Sequence, residues 1–380
     1  MKIKPVLRNR DVVYGNKDLK TIYTFKKFPV FMGVSKNHYK TDKFFRMRWQ
    51  ISKRSGMLQL NPLLPLNILY PETHNSGCVG KLWEKHHSEF AKFVRKLKPK
   101  KVLEIGACHG ILFEKFIKLQ KKVNWTIIEP NPQIKKSLKV KIIKSFFDKN
   151  SKIASDTDVF VHSHVIEHIY NLHDFIENLN KKIALNKHMV FSVPNLEIML
   201  QRKYTNCINF EHTIFLTQPF IKYFLELYNF KIIKKKFFQK DHSIFYSCKK
   251  IIQKNKPKKI KSYYDKNKKI FKDYISHHLT LIKRLNKKIL LTKRPVFLFG
   301  AHVFSQYLLS FGLDPKKIIY VLDNDNHKQN KRLYGTKLQV RSPKVLSSYK
   351  KPIVILKAGI YKNEIKNDIL KNINPNTSFI

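Results

Sequence analysis

The chain has few acidic residues for its length, and this shortage leaves it with a large positive charge. Of its 380 residues, 26 are Asp or Glu and 76 are Lys or Arg, so the formal net charge at pH 7 is +50. Arginine is scarce as well, because only 11 of the 76 basic residues are Arg. Sites that read nucleic-acid bases usually show Arg-rich or aromatic-interleaved motifs, and none stands out. We therefore expect no specific nucleic-acid binding, and the charge favours an anionic small-molecule substrate.

Cysteines and long apolar runs are also lacking. Cys78, Cys108, Cys207 and Cys248 form no C-x-x-C pair, so neither a local zinc ribbon nor a dithiol redox site is predicted. No run of 18 apolar residues occurs, and the opening MKIKPVLRNR has no apolar signal segment. These absences predict a cytoplasmic protein without membrane insertion. The length allows two or three domains.

The most informative segment that is present is KVLEIGACHG, residues 101–110. It indicates a buried strand with Glu104 near its end, then a turn flanked by Gly106 and Gly110, then a helix in ILFEKFIKL. Glycine lets the backbone approach a ligand closely, and the N-H groups that begin a helix point toward it. The segment predicts a nucleotide-sized site, although an ordinary strand-to-helix turn in an α/β domain gives the same pattern.

Two further strands strengthen the prediction of a nucleotide site. The strand TIIE ends at Glu129, about 25 residues after Glu104, which is close to the roughly 20-residue spacing at which an acid reaches a ribose. TDVFVHSHV, residues 157–165, indicates a third strand before another amphipathic helix. Alternating strands and helices build a parallel sheet, and the pattern favours an adenosine-containing cofactor.

With these residues the chain resembles the class I S-adenosylmethionine-dependent methyltransferases, whose E-x-G-x-G-x-G turn holds the methionine end of the cofactor. Cys108 replaces the middle glycine. A side chain there would crowd a dinucleotide pyrophosphate more than a methionine carboxylate, so a dehydrogenase is less favoured without being excluded. The resemblance implies S-adenosylmethionine as cofactor, held by Glu104, Gly106, Gly110 and Glu129, with Asp148 near the adenine and Ser163 beneath the cofactor.

The flanking segments narrow the resemblance to the sugar C-methyltransferase family. They include NFEHTIFLT from residue 209, FGAHVFSQYLL from residue 299 and VLDNDNHKQNKRLYGTKLQV from residue 321. The resemblance covers roughly residues 45 to 380 and implies an α/β protein. The central Rossmann-like methyltransferase domain would lie between a small irregular β-containing N-terminal domain and a second Rossmann-like domain. The expected units are 1–80 on the substrate side, 81–250 for the cofactor, 251–293 as a basic helical linker, and 294–380.

Family members often carry paired N-terminal cysteines that bind structural zinc, and this chain lacks them. We therefore predict no metal. The pair His86-His87 also invites a metal interpretation, but neighbouring helical side chains diverge by about 100 degrees and no further ligand is evident. Trp83 is expected in the core, and either histidine would at most lie near the cofactor.

Catalytic candidates follow from the same resemblance. Glu211-His212 lies in a loop after the strand MVFSVPN, and the family implies His212 as general base with Glu211 as its partner. Adjacent side chains on a strand point apart, so both can act only if the segment is a loop or turn. His168 follows the third strand and is a further catalytic candidate, whereas its neighbour Glu167 is equally consistent with a helix surface.

The substrate-facing candidates are Asn209, Tyr70 and His74, which stand at or near positions where the family has tyrosines. The hairpin residues 241–243 are as consistent with a simple turn as with a site. The expected function is methyl transfer to carbon in a nucleotide-linked ketosugar through an enolate. Transfer to oxygen or nitrogen of a sugar or other small metabolite stays open, as does a non-catalytic module that binds a nucleotide-sugar or RNA.

Overall fold

The computed structural model describes residues 3–70, 80–253, 255 and 257–380. Its N-terminal part contains a small antiparallel sheet in the order β1-β3-β4. Polar and apolar residues alternate along β3, so that Met47, Trp49 and Ile51 are buried. The elements of this part are β1 Leu19–Pro29, β2 Val34–Ser35, β3 Phe44–Ser52, β4 Leu58–Leu60 and the short helix α1 Leu66–Leu69.

The central part is a seven-stranded sheet with helices on both faces. Its elements are α2 Lys81–Arg95, β5 Lys101–Ile105, α3 Ile111–Ile117, β6 Asn124–Ile128, β7 Lys141–Ile143, β8 Val159–Ser163, α4 Leu172–Lys182, β9 His188–Pro194, α5 Leu196–Gln201, α6 Gln218–Leu227, β10 Phe230–Phe238 and β11 Ser243–Lys250. The strand-like segments FKIIKKKFF and SIFYSC, which the resemblance predicts as an antiparallel edge of the sheet, pair as an antiparallel hairpin.

The strand order is β10-β11-β9-β8-β5-β6-β7. Strands β5 to β9 run parallel, and β11 is antiparallel to both of its neighbours. From β5 the chain proceeds to β6 on one side and later returns to β8 on the other. Ligands of open α/β sheets bind outside the carboxyl ends of the strands at such a switch point. The end of β5 next to β8 is therefore the expected binding position.

The helix α7 Tyr264–Leu291 leads into a second, all-parallel sheet in the order β15-β13-β12-β16-β17. This confirms the predicted second Rossmann-like domain. β2 of the N-terminal part pairs with β14, and Asp42 accepts a hydrogen bond from Arg332 at 2.7 Å across this junction. The elements are β12 Val296–Phe299, α8 Val303–Ser310, β13 Ile318–Leu322, β14 Arg332–Leu333, β15 Val340–Arg341, β16 Ile353–Ile355, α9 Lys362–Asn372 and β17 Ser378–Phe379.

Separate apolar clusters cover the two faces of the central sheet. A third cluster is shared by the N-terminal sheet, α5, one face of α7 and the C-terminal domain. The predicted basic linker is thus amphipathic, because its Lys-rich face is exposed while Phe271, Tyr274 and Leu285 are buried. This shared core fixes the C-terminal domain over the carboxyl edge of the central sheet.

One buried histidine of this core should make the stability of the folded chain sensitive to acid. His278 on α7 is 1% exposed and stacks on Phe311 with ring centroids 5.1 Å apart. Burial, and then the charge of His277, lower the pKa of His278 from 6.5 to about 3. Because the unfolded chain binds a proton that the folded chain does not, stability rises with pH between these values and is lost as pH falls.

We expect His278→Phe to reduce the difference in unfolding free energy between pH 7 and pH 5 by about 2 kcal/mol. Urea unfolding at the two pH values measures this difference. Replacement of the exposed His38 by Gln is the matched control and should leave the difference as it is in the wild type. An unchanged difference in the His278 variant would show that this histidine does not contribute to the acid sensitivity.

Candidate active site

A cleft of about 730 Å³ opens at the carboxyl edge of the central sheet, between the sheet and the C-terminal domain. This volume falls within the roughly 300–1,000 Å³ of small-molecule sites. One wall contains the glycine turn after β5 and the ends of β8 and β9. The facing wall contains the turn after β12, which includes Gly300, together with Asp323 and the segment 358–361. The cleft therefore lies at the expected switch point and is bounded by both Rossmann-like domains.

Both glycines of the predicted turn have a left-handed backbone. Gly106 has φ +75°, and a Cβ on it would lie 2.6 Å from Cγ2 of Val165, so glycine is required there. Gly110 has φ +67° and precedes the first residue of α3. Cys108 also has a positive φ, and its N-H donates to Oε2 of Glu129 at 3.0 Å. Glu129 thus ties the turn to the end of β6.

Glu104 is a buried carboxyl at the base of the cleft. It is 3% exposed, and its Oε2 accepts a hydrogen bond from Nε1 of Trp125 at 2.9 Å. Burial, with a further contribution from the charge of Glu129, raises the pKa of Glu104 to about 8. A buried acid of this kind is held in its charged form by a cationic partner, and the ammonium of an amino-acid ligand is such a partner.

Residues 209–212 form a turn rather than a strand. The side chains of Glu211 and His212 are therefore not forced to opposite faces, as they would be on a strand. Oδ1 of Asn209 accepts hydrogen bonds from the backbone N-H of Glu211 at 2.7 Å and of His212 at 2.8 Å. Asn209 lines the cleft as expected, and its side-chain oxygen holds this turn. The sequence alone indicated Asn209 as a substrate-facing candidate, but it did not show that its side chain stabilises the turn.

His212 is oriented by a backbone carbonyl. Its Nδ1 lies 2.9 Å from the carbonyl oxygen of Cys207, which can only accept a hydrogen bond. Nδ1 must therefore carry the proton, and Nε2 carries a lone pair. Burial, followed by the charge of His168, lowers the pKa of His212 below its ordinary value. The imidazole is thus neutral at neutral pH, and its Nε2 is available to accept a proton.

His168 connects the other predicted residues to His212. The two imidazole rings are nearly perpendicular, with centroids 5.2 Å apart. Nδ1 of His168 lies 3.1 Å from the hydroxyl of Tyr70 and 3.7 Å from Oε2 of Glu211. The structure therefore brings together Tyr70, His168, Glu211 and His212, which come from three distant parts of the chain.

Glu167 is not the surface residue that one interpretation of the sequence allowed. It is fully buried, with Oε1 3.3 Å from Nδ1 of His164 and 3.8 Å from Nε2 of His168. Burial alone would raise the pKa of Glu167, but the contact with His164 and the nearby histidines lower it, to about 2. The neighbouring His168 is the feature of the sequence that indicates a site near Glu167. It does not show whether the carboxyl of Glu167 is buried or exposed.

Other predicted residues lie in different surroundings. Ser163 lines the cleft at the end of β8, whereas Asp148 is exposed, lies outside the cleft lining and accepts hydrogen bonds from Asn150 N and Ser151 Oγ. The adenine role of Asp148 stays a prediction. His74 lies outside the described residues. Trp83, expected in the core, instead lines the cleft.

The strand order and the ligand-sized cleft define the central part as a class I methyltransferase domain, and residues 81–235 match the family model of a methyltransferase domain. Residues 233–380 match the model of the C-methyltransferase C-terminal domain. The chain is therefore an S-adenosylmethionine-dependent methyltransferase that carries a C-methyltransferase C-terminal domain.

Solved structures with a similar fold include an S-adenosylmethionine-dependent methyltransferase from Clostridium acetobutylicum, at 12% identity over 44% of this chain and 92% of that chain, TM-score 0.35. Another is the N-methyltransferase NodS from Bradyrhizobium japonicum, at 14% identity over 46% of this chain and 99% of that chain, TM-score 0.35. No curated protein matches the chain.

Within the described residues, no helix has the length and apolar character needed to cross a membrane.

Proposed function

We propose that this methyltransferase transfers the methyl group to a carbon atom of a nucleotide-linked ketosugar, with His212 as general base. The observation that carries the proposal is the hydrogen bond from Nδ1 of His212 to the carbonyl of Cys207, which leaves Nε2 as a proton acceptor. His212 lines the cleft that also contains the glycine turn. The match of residues 233–380 to a C-methyltransferase domain supports carbon as the acceptor atom.

The residues present fit S-adenosylmethionine at the turn after β5. Glu104 offers a buried carboxyl for the ammonium group, and the backbone of residues 106–109 lines the cleft. Glu129, at the end of β6, is the candidate for the ribose hydroxyls, and it already holds the turn through Cys108. When bound, the cofactor supplies an electrophilic methyl group.

A carbon beside a ketone becomes a nucleophile only when it loses a proton. In our proposal Nε2 of His212 takes that proton, and the electron pair of the C-H bond moves toward the carbonyl oxygen to form an enolate. The hydroxyl of Tyr70, which lies 3.1 Å from Nδ1 of His168, is our candidate donor of a hydrogen bond to the enolate oxygen, although Tyr70 is not among the residues that line the cleft. Burial, followed by the charge of Glu211, raises the pKa of Tyr70 above its ordinary value, which keeps this hydroxyl protonated as a donor.

The surrounding groups position this pair. His168 contacts Tyr70, Glu211 and the ring of His212, so it couples the base to the donor. The C-terminal domain forms the opposite wall of the cleft, where Lys328 is 3.3 Å from Asp323. The strongly basic chain favours an anionic substrate, and a diphosphate-linked sugar is one.

Glu104 provides a test of the cofactor position. Glutamine at this position keeps the shape and an oxygen that can accept from Trp125, but it removes the charge. We expect Glu104→Gln to weaken S-adenosylmethionine binding by about 10- to 150-fold, because a hydrogen bond to a charged group is worth roughly 1.5–3 kcal/mol. Titration calorimetry on the full chain measures this affinity.

The matched control for this experiment is Glu114→Gln on α3, where the acid makes a surface ion pair with Lys118 at 3.3 Å. Exposed pairs contribute little, so this variant should bind the cofactor like the wild type. Equal affinity in the wild type and the Glu104 variant would show that the cofactor's ammonium does not lie at Glu104.

The proposed reaction is tested by incubating the full chain with methyl-labelled S-adenosylmethionine and a panel of nucleotide-linked ketosugars. We expect one labelled methyl per product and a new carbon-carbon bond beside the former ketone, located by NMR. Methylation on oxygen or nitrogen would contradict the carbon-transfer proposal. Cofactor binding without turnover on any ketosugar would contradict the substrate class.

A further inference from the structure

A second group of histidines lies beside the proposed catalytic residues. It consists of His86 on α2, His164 just after β8, and His242 between β10 and β11, and is called here the histidine triad. One ring nitrogen from each residue lies within 4.8 Å of the other two. His86 is 0% exposed and His242 is 6% exposed. The indole of Trp83 packs edge-on against all three rings, at centroid distances of 4.7–5.1 Å.

The polar groups around the triad are few. Within the described residues, Nε2 of His86 contacts Oγ of Ser192 at 3.0 Å, while its buried Nδ1 has no hydrogen-bond partner. Nε2 of His164 and Nδ1 of His242 both contact Oγ of Ser243, at 3.0 and 2.6 Å. His86 and His242 are buried and His164 is partly exposed. Burial of imidazoles against two small hydroxyls is unfavourable unless their lone pairs find a stronger partner.

Glu167 adds the outer contact that metal-binding histidines usually have. Its Oε1 lies 3.3 Å from Nδ1 of His164, on the opposite side of the ring from the nitrogen that contacts Ser243. A carboxylate in this position favours the proton on Nδ1 and leaves the lone pair on Nε2, the nitrogen that contacts Ser243. Such carboxylate-histidine pairs orient the ligand and increase its basicity.

We propose that the histidine triad binds one Zn²⁺ ion through the three imidazoles, with a fourth position open to water. Imidazole ligands favour zinc-class metals, and the absence of carboxylate from the triad disfavours Mg²⁺ and Ca²⁺. Nitrogens bound to tetrahedral zinc lie about 3.4 Å apart, since each Zn-N bond is roughly 2.0–2.1 Å. The rings must therefore close inward slightly when the ion binds.

The site has a mechanical consequence for the cleft. His86 lies on α2, whereas His164 and His242 belong to the loops at the carboxyl edge of the central sheet, so the ion would fasten the helix to that edge. Trp83 and His87 of the same helix, together with His164 and His242, line the cleft. Zinc at this position stabilises the wall of the cleft next to the glycine turn. Zinc binding by the triad is independent of which substrate the cleft accepts.

The test uses the untagged full-length chain, treated with a chelator and then dialysed against micromolar ZnCl₂. We expect one zinc per chain by elemental analysis and a visible absorption band of tetrahedral geometry when Co²⁺ replaces zinc. His164→Ala and His242→Ala should abolish stoichiometric binding. Glu167→Gln, which removes the carboxylate beside both His164 and His168, should weaken binding roughly 10- to 100-fold.

The matched control is His278→Ala, which removes a buried histidine far along the chain and should keep the bound zinc. Circular dichroism of each variant identifies those that fold. The zinc content and the Co²⁺ spectrum of the wild-type chain stand independently of the alanine variants. The proposal is overturned if the wild-type chain binds no zinc, or if folded His164 and His242 variants keep it. Loss of zinc on replacement of His168 or His212, with binding retained in the triad variants, would place the ion at Glu167-His168-His212 and also overturn it.

Discussion

Replacement of His212 by alanine should lower kcat for methyl transfer by roughly 10²- to 10⁴-fold, the usual contribution of a positioned general base. The expected loss follows from the tautomer, because the carbonyl of Cys207 keeps the proton on Nδ1 and leaves Nε2 to accept one. Cofactor affinity should change little, since Glu104 and the glycine turn remain in place. Steady-state kinetics together with calorimetry separate the two effects.

His173→Ala is the matched control for this substitution. His173 is a partly buried histidine on α4 whose Nδ1 lies 2.7 Å from the hydroxyl of Tyr228, and it does not line the cleft. We expect its kcat to be close to that of the wild type. Normal turnover by a folded His212→Ala protein would show that another group takes the proton.

Substitution of Tyr70 by phenylalanine should lower kcat by roughly 10²- to 10³-fold, as for removal of one donor to a developing oxyanion. The ring stays in place, so KM should change less than kcat. The physical reason is the loss of the hydroxyl that lies 3.1 Å from Nδ1 of His168, which we propose donates to the enolate oxygen. The comparison requires kcat and KM on the same ketosugar.

Tyr170→Phe serves as the control for the tyrosine substitution. The hydroxyl of Tyr170 donates to the carbonyl oxygen of Leu64 at 2.6 Å, whereas that of Tyr70 contacts the imidazole of His168. Loss of the Tyr170 hydroxyl should affect stability more than kcat. A Tyr70 variant with wild-type kcat and a raised KM would show that this hydroxyl binds the substrate without stabilising the enolate.

Local features of the sequence were sufficient to predict the fold and the glycine turn after β5. Short patterns of a few residues each determine the strand before Gly106, the position of Glu129 and the edge hairpin. Backbone sterics and the order of strands and helices link such patterns to structure. The alternation of strands and helices near residues 296–323 likewise predicted the second Rossmann-like domain.

The arrangement of side chains around the cleft could not be predicted in the same way. Tyr70 meets His168 across 98 positions of the chain, and His86 meets Ser192 across 106. Such contacts depend on how the N-terminal part and α2 pack on the sheet. The burial of Glu167 depends on the same packing. The Glu167-His168 pair in the sequence therefore indicated His168 as a site candidate without showing whether Glu167 is buried or exposed.

In the mechanism that we propose, His212 creates a carbon nucleophile within the cleft. The most direct test of this role is exchange of the hydrogen beside the ketone for deuterium in D₂O, with the full chain, a nucleotide-linked ketosugar and S-adenosylhomocysteine in place of the methyl donor. The proposed role of His212 predicts exchange at the carbon that is methylated in turnover. This exchange should be lost in His212→Ala and kept in His173→Ala. Carbon methylation by a wild-type chain that shows no exchange under these conditions, or exchange that persists in His212→Ala, would contradict this role.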